Sequence, residues 1–141
     1  MDKSQYDTWP RKPETTKEEF MNLDLMVEEK SSPRRIVATV ESELATSNRK
    51  GEIARDFEKL LSVKSAFKVM IFSAAKVGFT DERAKEALES DLRGYGHHLR
   101  GETYIFIDYN ENSGDNGSFI AHIWQSRSNR QQKSAKLLPV N

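Results

Sequence analysis

The stretch AFKVMIFSA, residues 66–74, constrains this chain more than any other feature. It is a nearly continuous apolar run of strand length, far short of the roughly 20 residues that cross a bilayer. Such a run suits a central strand covered on both faces, reached by a parallel connection whose helix crosses over the sheet. The preceding segment EIARDFEKLLSV fits that helix: Ile53, Phe57, Leu60 and Leu61 recur at helical spacing, and Glu52, Asp56 and Lys59 are read as lying more to the outside. A second helix is expected after the run, with Thr80 as its cap, Asp81 and Glu82 in the first turn, and Ala84, Ala87, Leu88 and Leu92 as the core stripe ending before Gly94. Strands separated by helices make the chain an α/β protein, with a central mixed sheet flanked by helices.

The remaining strands are read from period-2 alternation. In NLDLMV, Leu23, Leu25 and Val27 share one face while Asp24 and Met26 share the other. In RRIVATVESEL, Ile36, Ala38, Val40 and Ser42 alternate with Val37, Thr39, Glu41 and Glu43, so two acids share a face at the strand's far end. A turn near Ser31–Pro33 makes these two strands a hairpin. TYIFIDY and SFIAHIW, joined by the glycine-containing NENSGDNG, are expected to pair antiparallel at the sheet edge.

Residues 1–13 read as an extended arm, residues 14–125 as one α/β domain opening with a short helix that ends near Met21, and residues 126–141 as a flexible basic tail. A length of 141 residues suits one domain. The absence of cysteine excludes disulfides, thiolate zinc sites and cysteine nucleophiles. The first twenty residues hold no apolar signal core, so a cytoplasmic protein without membrane contact is the simplest expectation. Lys and Arg total 22 against 22 Asp and Glu, so nucleic-acid binding would have to use a local patch.

The constellation that carries chemistry is Asp24-x16-Glu41-x-Glu43. If the hairpin forms, Asp24 lies opposite or diagonal to Glu41, with Glu43 one step along the same face. Converging carboxylates repel unless a cation lies between them, and hard oxygen ligands of this kind suit Mg²⁺ or Mn²⁺. A metal so held acidifies a bound water and neutralises charge on a phosphoryl oxygen. The competing expectation is that these acids lie on a solvated face and pair with Arg34, Arg35 or nearby Lys residues.

The order helix, strand with Asp, strand with Glu-x-Glu, helix, buried strand resembles the core of the PD-(D/E)XK, or restriction-endonuclease-like, superfamily over about the N-terminal half of the chain. The resemblance implies a metal-dependent nuclease acting on DNA. Asp24 matches the motif's Asp, Glu41 its acidic position, and Glu43 the position where the family usually has Lys. Asp24, Glu41 and Glu43 are then the expected metal ligands, with Glu43 as third ligand or general base. Lys59, or Lys50 before it, is the candidate for the missing cation. The family core also has a strand before the Asp strand, where this chain offers only the arm and the short helix.

Two other functional expectations stand beside this one. The chain can be a nuclease-like fold that no longer cuts and serves as a binding or regulatory module. It can also be an interaction protein in which the last hairpin, through Tyr104, Phe106 and Trp124, offers a surface to a partner or to a second copy in a homodimer. His97, His98 and His122 are read as structural or surface residues, lacking helical His-x-x-x-His spacing. The segment at Asp108, Asn110 and Asn112 departs from a calcium loop because Gly114 comes one place late and Phe119 stands where the bidentate Glu belongs. Arg127, Arg130, Lys133 and Lys136 offer a basic stretch, and Arg49 and Lys50 a second site where cations could meet an anion.

Overall fold

A computed structural model describes residues 5–9, 23–44, 50–75, 80–110, 118–126 and 135–137. The elements are β1 (Tyr6–Trp9), β2 (Leu25–Glu29), β3 (Arg35–Glu43), α1 (Lys50–Ser62), β4 (Phe67–Phe72), α2 (Asp81–Gly94), β5 (Thr103–Asn110), β6 (Ser118–Gln125) and β7 (Ala135–Leu137). The strands form one mixed sheet in sequence order, β1-β2-β3-β4-β5-β6-β7. β3, β4 and β5 are parallel and joined through the two helices, and the outer pairings are antiparallel. This is the α/β architecture the sequence implies. No helix among the described residues is long and apolar enough to cross a membrane.

The apolar run does supply the middle strand, β4, fourth of seven. Its coverage differs from the expectation. Successive right-handed crossovers that step the same way along a sheet put both helices on one face. Ile53, Phe57, Leu60 and Leu61 of α1 and Ala84, Leu88 and Leu92 of α2 accordingly share one core with Met70, Phe72, Tyr104, Phe106 and Trp124. The alternate residues of β4 face the other way: Val69 and Ile71 are half-buried and Phe67 is exposed. Lys68, inside the run, is buried on the helix side.

The helix starts follow local chemistry. The Thr80 side chain accepts a hydrogen bond from the Arg83 amide at 3.3 Å, filling one of the free donors of the first turn of α2. At its other end the Tyr95 amide donates to the Asp91 carbonyl. Ala87, assigned to the stripe, is exposed, while Ala84, Leu88 and Leu92 are buried. Asp56, expected outside, is buried. It follows Ile53 by three positions and precedes Leu60 by four, so it lies along the apolar stripe itself.

Further features bear on the other expectations. Residues 6–9 of the extended arm join the sheet: β1 pairs antiparallel with β2, and the Lys30 amide donates to the Gln5 carbonyl at 2.9 Å. Within the basic tail, residues 135–137 form β7 against β6, so the hairpin of β5 and β6 is not the sheet's edge. Tyr104, Phe106 and Trp124 are buried in the core and offer nothing to a partner. Their rings pack on Phe57 and on one another, with Phe57 and Phe106 centroids 5.5 Å apart and Tyr104 and Trp124 5.5 Å apart. The expected helix at residues 14–21, the loop at 45–49 and the segment 111–117 lie outside the described residues.

Candidate functional site

β2 and β3 form the predicted hairpin, with Leu25 opposite Val40 and Met26 opposite Thr39. Asp24, one step before Leu25, therefore enters the sheet opposite Glu41. Its Oδ2 accepts from the Ser42 amide at 2.6 Å and the Ser42 hydroxyl at 2.7 Å. These two donors hold the carboxylate across the C-terminal end of β3.

Glu41 points into the helix-covered side and is only 1% exposed. Its neighbours in register are Met70 and then Phe106, so its stem lies against the core. One carboxylate oxygen, Oε2, accepts from Lys59 Nζ at 3.2 Å. The other, Oε1, is buried and has no hydrogen-bond partner among the described residues. Lys59 is shared: its Nζ also contacts Asp56 Oδ1 at 2.7 Å, one helical turn back on α1. Burial raises the Glu41 carboxyl to about 7, opposed by Lys59 and assisted by the negative charges of Asp24 and Asp56. The two carboxylates in turn hold the Lys59 ammonium above its ordinary range despite its partial burial.

The sequence-derived residues thus fall into a partial cluster. Asp24, Glu41 and Lys59 come together at one end of the sheet. Glu43 lies two residues beyond Glu41 on the same strand, half-buried, opposite Phe72. Among the described residues, no three or more His, Asp or Glu side chains stand close enough together to hold a metal ion. Of the cations expected to pair with these acids, Arg34 and Arg35 pair with Glu28 and Glu29 on the neighbouring strand, whereas a Lys, Lys59, does pair with Glu41. Asp56 is the member that the sequence reading placed outside. The available signal was its position on the apolar stripe, where an acid needs a buried cation.

A second ionic group was not foreseen. At the beginning of the parallel strands, Lys68 Nζ meets Glu102 Oε1 at 3.0 Å, both side chains being almost fully buried. Lys68 also donates to the Tyr104 hydroxyl at 3.1 Å, and that hydroxyl lies 3.1 Å from Glu102 Oε2. His98 adds its Nδ1 at 3.0 Å from the same hydroxyl, and its Nε2 donates to the Leu92 carbonyl of α2 at 2.7 Å. Its ring packs between Tyr95 and Trp124, at 5.1 and 5.0 Å. His98 has the structural role the sequence suggested, closing the last turn of α2. Burial lowers the Lys68 ammonium and raises the Tyr104 hydroxyl.

Asp108, part of the segment compared with a calcium loop, is instead a buried strand residue. Its Oδ1 accepts from the Ala74 amide at 2.9 Å, tying the end of β4 to β5. No protein-family model, curated protein or solved structure matches the chain.

Proposed function

We propose that the protein is a metal-dependent phosphodiesterase of the restriction-endonuclease-like type that acts on DNA. The observation that carries this reading is the buried carboxylate of Glu41, with one oxygen on Lys59 and the other unpartnered among the described residues, opposite Asp24. Burying a polar atom without a partner is costly, and a functional site is where such a cost is retained. The element order adds support: β1 provides a strand before the Asp strand, and the Glu-x-Glu strand leads through α1 to the central β4.

The donor set suits a hard divalent cation at one end of the cluster. Glu41 Oε1 and Asp24 would hold it, with Glu43 two residues along the same strand as the third acid of the motif, and such a cation would supply charge neutralisation at a phosphoryl oxygen and acidify a bound water. Lys59 takes the place of the Lys absent at position 43. Its ammonium is held by Glu41 and Asp56 on the side of the cluster facing α1, where it can orient an attacking water or offset negative charge. Asp56 is a positioning residue, keeping Lys59 charged and directed at Glu41.

A second reading is a nuclease-like module that binds or regulates without cutting. It is favoured by the lack of a three-acid metal group among the described residues and by Lys59 already neutralising Glu41. One experiment separates the two. Thermal melts with and without Mn²⁺ are recorded for wild type and Glu41→Ala, and each protein is incubated with plasmid and single-stranded DNA. A metal-dependent rise in Tm together with strand cleavage, both abolished by the substitution, is the expected result. A protein that neither responds to Mn²⁺ nor cuts is the non-cutting module.

A further inference from the structure

Opposite the carboxylate cluster, where β3, β4 and β5 begin, lies a pocket of about 510 Å³, within the size range of small-ligand sites. Arg35, Lys64 and Arg100 supply its positive charge, and Phe67 and Leu99 its apolar wall. Those two side chains are 44% and 43% exposed, and they are two of the four exposed large hydrophobic residues among the described residues. Glu102 also lines the pocket, but its carboxylate is neutralised by buried Lys68. Arg35 is paired with Glu29 across the hairpin. Lys64 and Arg100 have no acidic partner among the described residues.

We propose that this pocket binds one nucleotide unit of a single-stranded nucleic acid, with the base against Phe67 and Leu99 and the flanking phosphates on Lys64, Arg100 and Arg35. Cations beside an exposed aromatic ring are the combination that single strands use, because every base has a stacking face and every linkage a charge. Arginine adds a planar fork that matches phosphate and can lie on a ring. In a chain with 22 basic and 22 acidic residues, binding a polyanion requires a local concentration of cations, and this pocket supplies one. The chain also leaves β6 beside it: the Ser126 carbonyl accepts from the Gly101 amide at 2.9 Å. An acidic peptide would use the charges but would leave the Phe67 face unused.

The proposal is independent of hydrolysis. Arg35 and Glu41 are six residues apart on β3, or about 20 Å at strand rise, so the pocket and the carboxylate cluster are separate places.

The test is fluorescence anisotropy of a labelled oligothymidine titrated with protein in EDTA, over a range of salt. Binding is expected with a log–log salt slope of about −1.4, the value for the two phosphates that flank one nucleotide of a single strand. The double substitution Lys64→Glu and Arg100→Glu should weaken binding by about tenfold or more and flatten that slope. Phe67→Ala should weaken it by about fivefold or more and leave the slope unchanged. All three positions mutated in the pocket are exposed, and unchanged circular dichroism melts establish that the variants fold. Absence of binding overturns the proposal, as does binding unaffected by the double charge reversal. Displacement of the oligonucleotide by an equal charge concentration of polyglutamate also overturns it, since the pocket would then be an acidic-peptide site.

Discussion

Two lysine–glutamate pairs lie beneath the helices of this protein, on successive rows of the same parallel strands, Lys68 level with Thr39 and Glu41 level with Met70, and they are built differently. At the beginning of the strands, Lys68 and Glu102 are both enclosed, and Tyr104 and His98 complete their hydrogen bonding. In the next row, Lys59 is partly open to solvent and shared between two acids, while Glu41 keeps one buried oxygen without a partner among the described residues. A closed, satisfied network holds a core in one arrangement. An unsatisfied carboxylate with a raised proton affinity is instead poised to take a proton or a cation. The contrast fits a structural role for the first pair and, on the proposed function, a chemical one for the second.

The largest effect that tests this contrast is Lys68→Met. It removes the partner of a fully enclosed carboxylate while leaving the stem volume nearly unchanged. Breaking a buried pair on one side costs about 3–5 kcal/mol. Urea unfolding at neutral pH should show a loss of that size, with DNA cleavage reduced only in proportion to the folded fraction. A loss below about 1 kcal/mol would mean that the two pairs are not distinct in kind.

Glu41→Gln should act in the opposite direction. The folded-state carboxyl lies at about 7 against an ordinary 4.5, so between those values the folded protein keeps a proton that the unfolded chain releases. Stability from this group is therefore full below about 4.5, declines as pH rises to 7, and stays low above. Glutamine does not titrate, and Asp56 still pairs with Lys59. The variant should match wild type near pH 4.5 and exceed it by up to about 3 kcal/mol at pH 8. Stability curves for both proteins across that range provide the check. A divalent cation must displace the same proton, so any Mn²⁺ stabilisation of wild type should grow as pH rises through 7 and be missing from the variant.

Lys59→Met comes next in size. The side chain is partly solvated, so its removal should cost about 1 kcal/mol at neutral pH, because Glu41 can respond by staying protonated. Strand cleavage should nevertheless be lost, and Lys59→Arg should restore it in part. Cleavage at the wild-type rate in Lys59→Met would remove this residue from the chemistry.

The difference between the two pairs also marks where sequence reading reaches its limit. The hairpin of β2 and β3, both helices and the central strand followed from period-2 and helical spacing, because each pattern is local to a dozen residues. The proximity of Asp24 and Glu41 was legible for the same reason, since one hairpin register fixes it. Lys68 was hidden because it interrupts an apolar run, and its partner Glu102 lies 34 residues later, beyond the α2 crossover and just before β5. Asp56 was misplaced because an acid was assumed to be outside even where the helical period put it on the core side. β1 was unreadable in isolation: a four-residue strand has little pattern of its own, and its pairing with β2 is what makes it a strand.

The smallest expected effect is the most specific to the shared cluster. Asp24→Asn keeps an oxygen to accept from Ser42 and loses only the charge, so the stability change should stay under about 1 kcal/mol. Asp24 is one of the negative charges that push the Glu41 carboxyl up, so neutralising it should lower the Glu41 titration midpoint from its value near 7. Carboxyl-carbon NMR of selectively labelled glutamate can follow that midpoint in both proteins. A downward shift means that Asp24 and Glu41 share one electrostatic site, as two ligands of one cation must. An unmoved midpoint would separate them, leave Asp24 as a clamp on the end of β3, and shift the balance towards the module that binds without cutting.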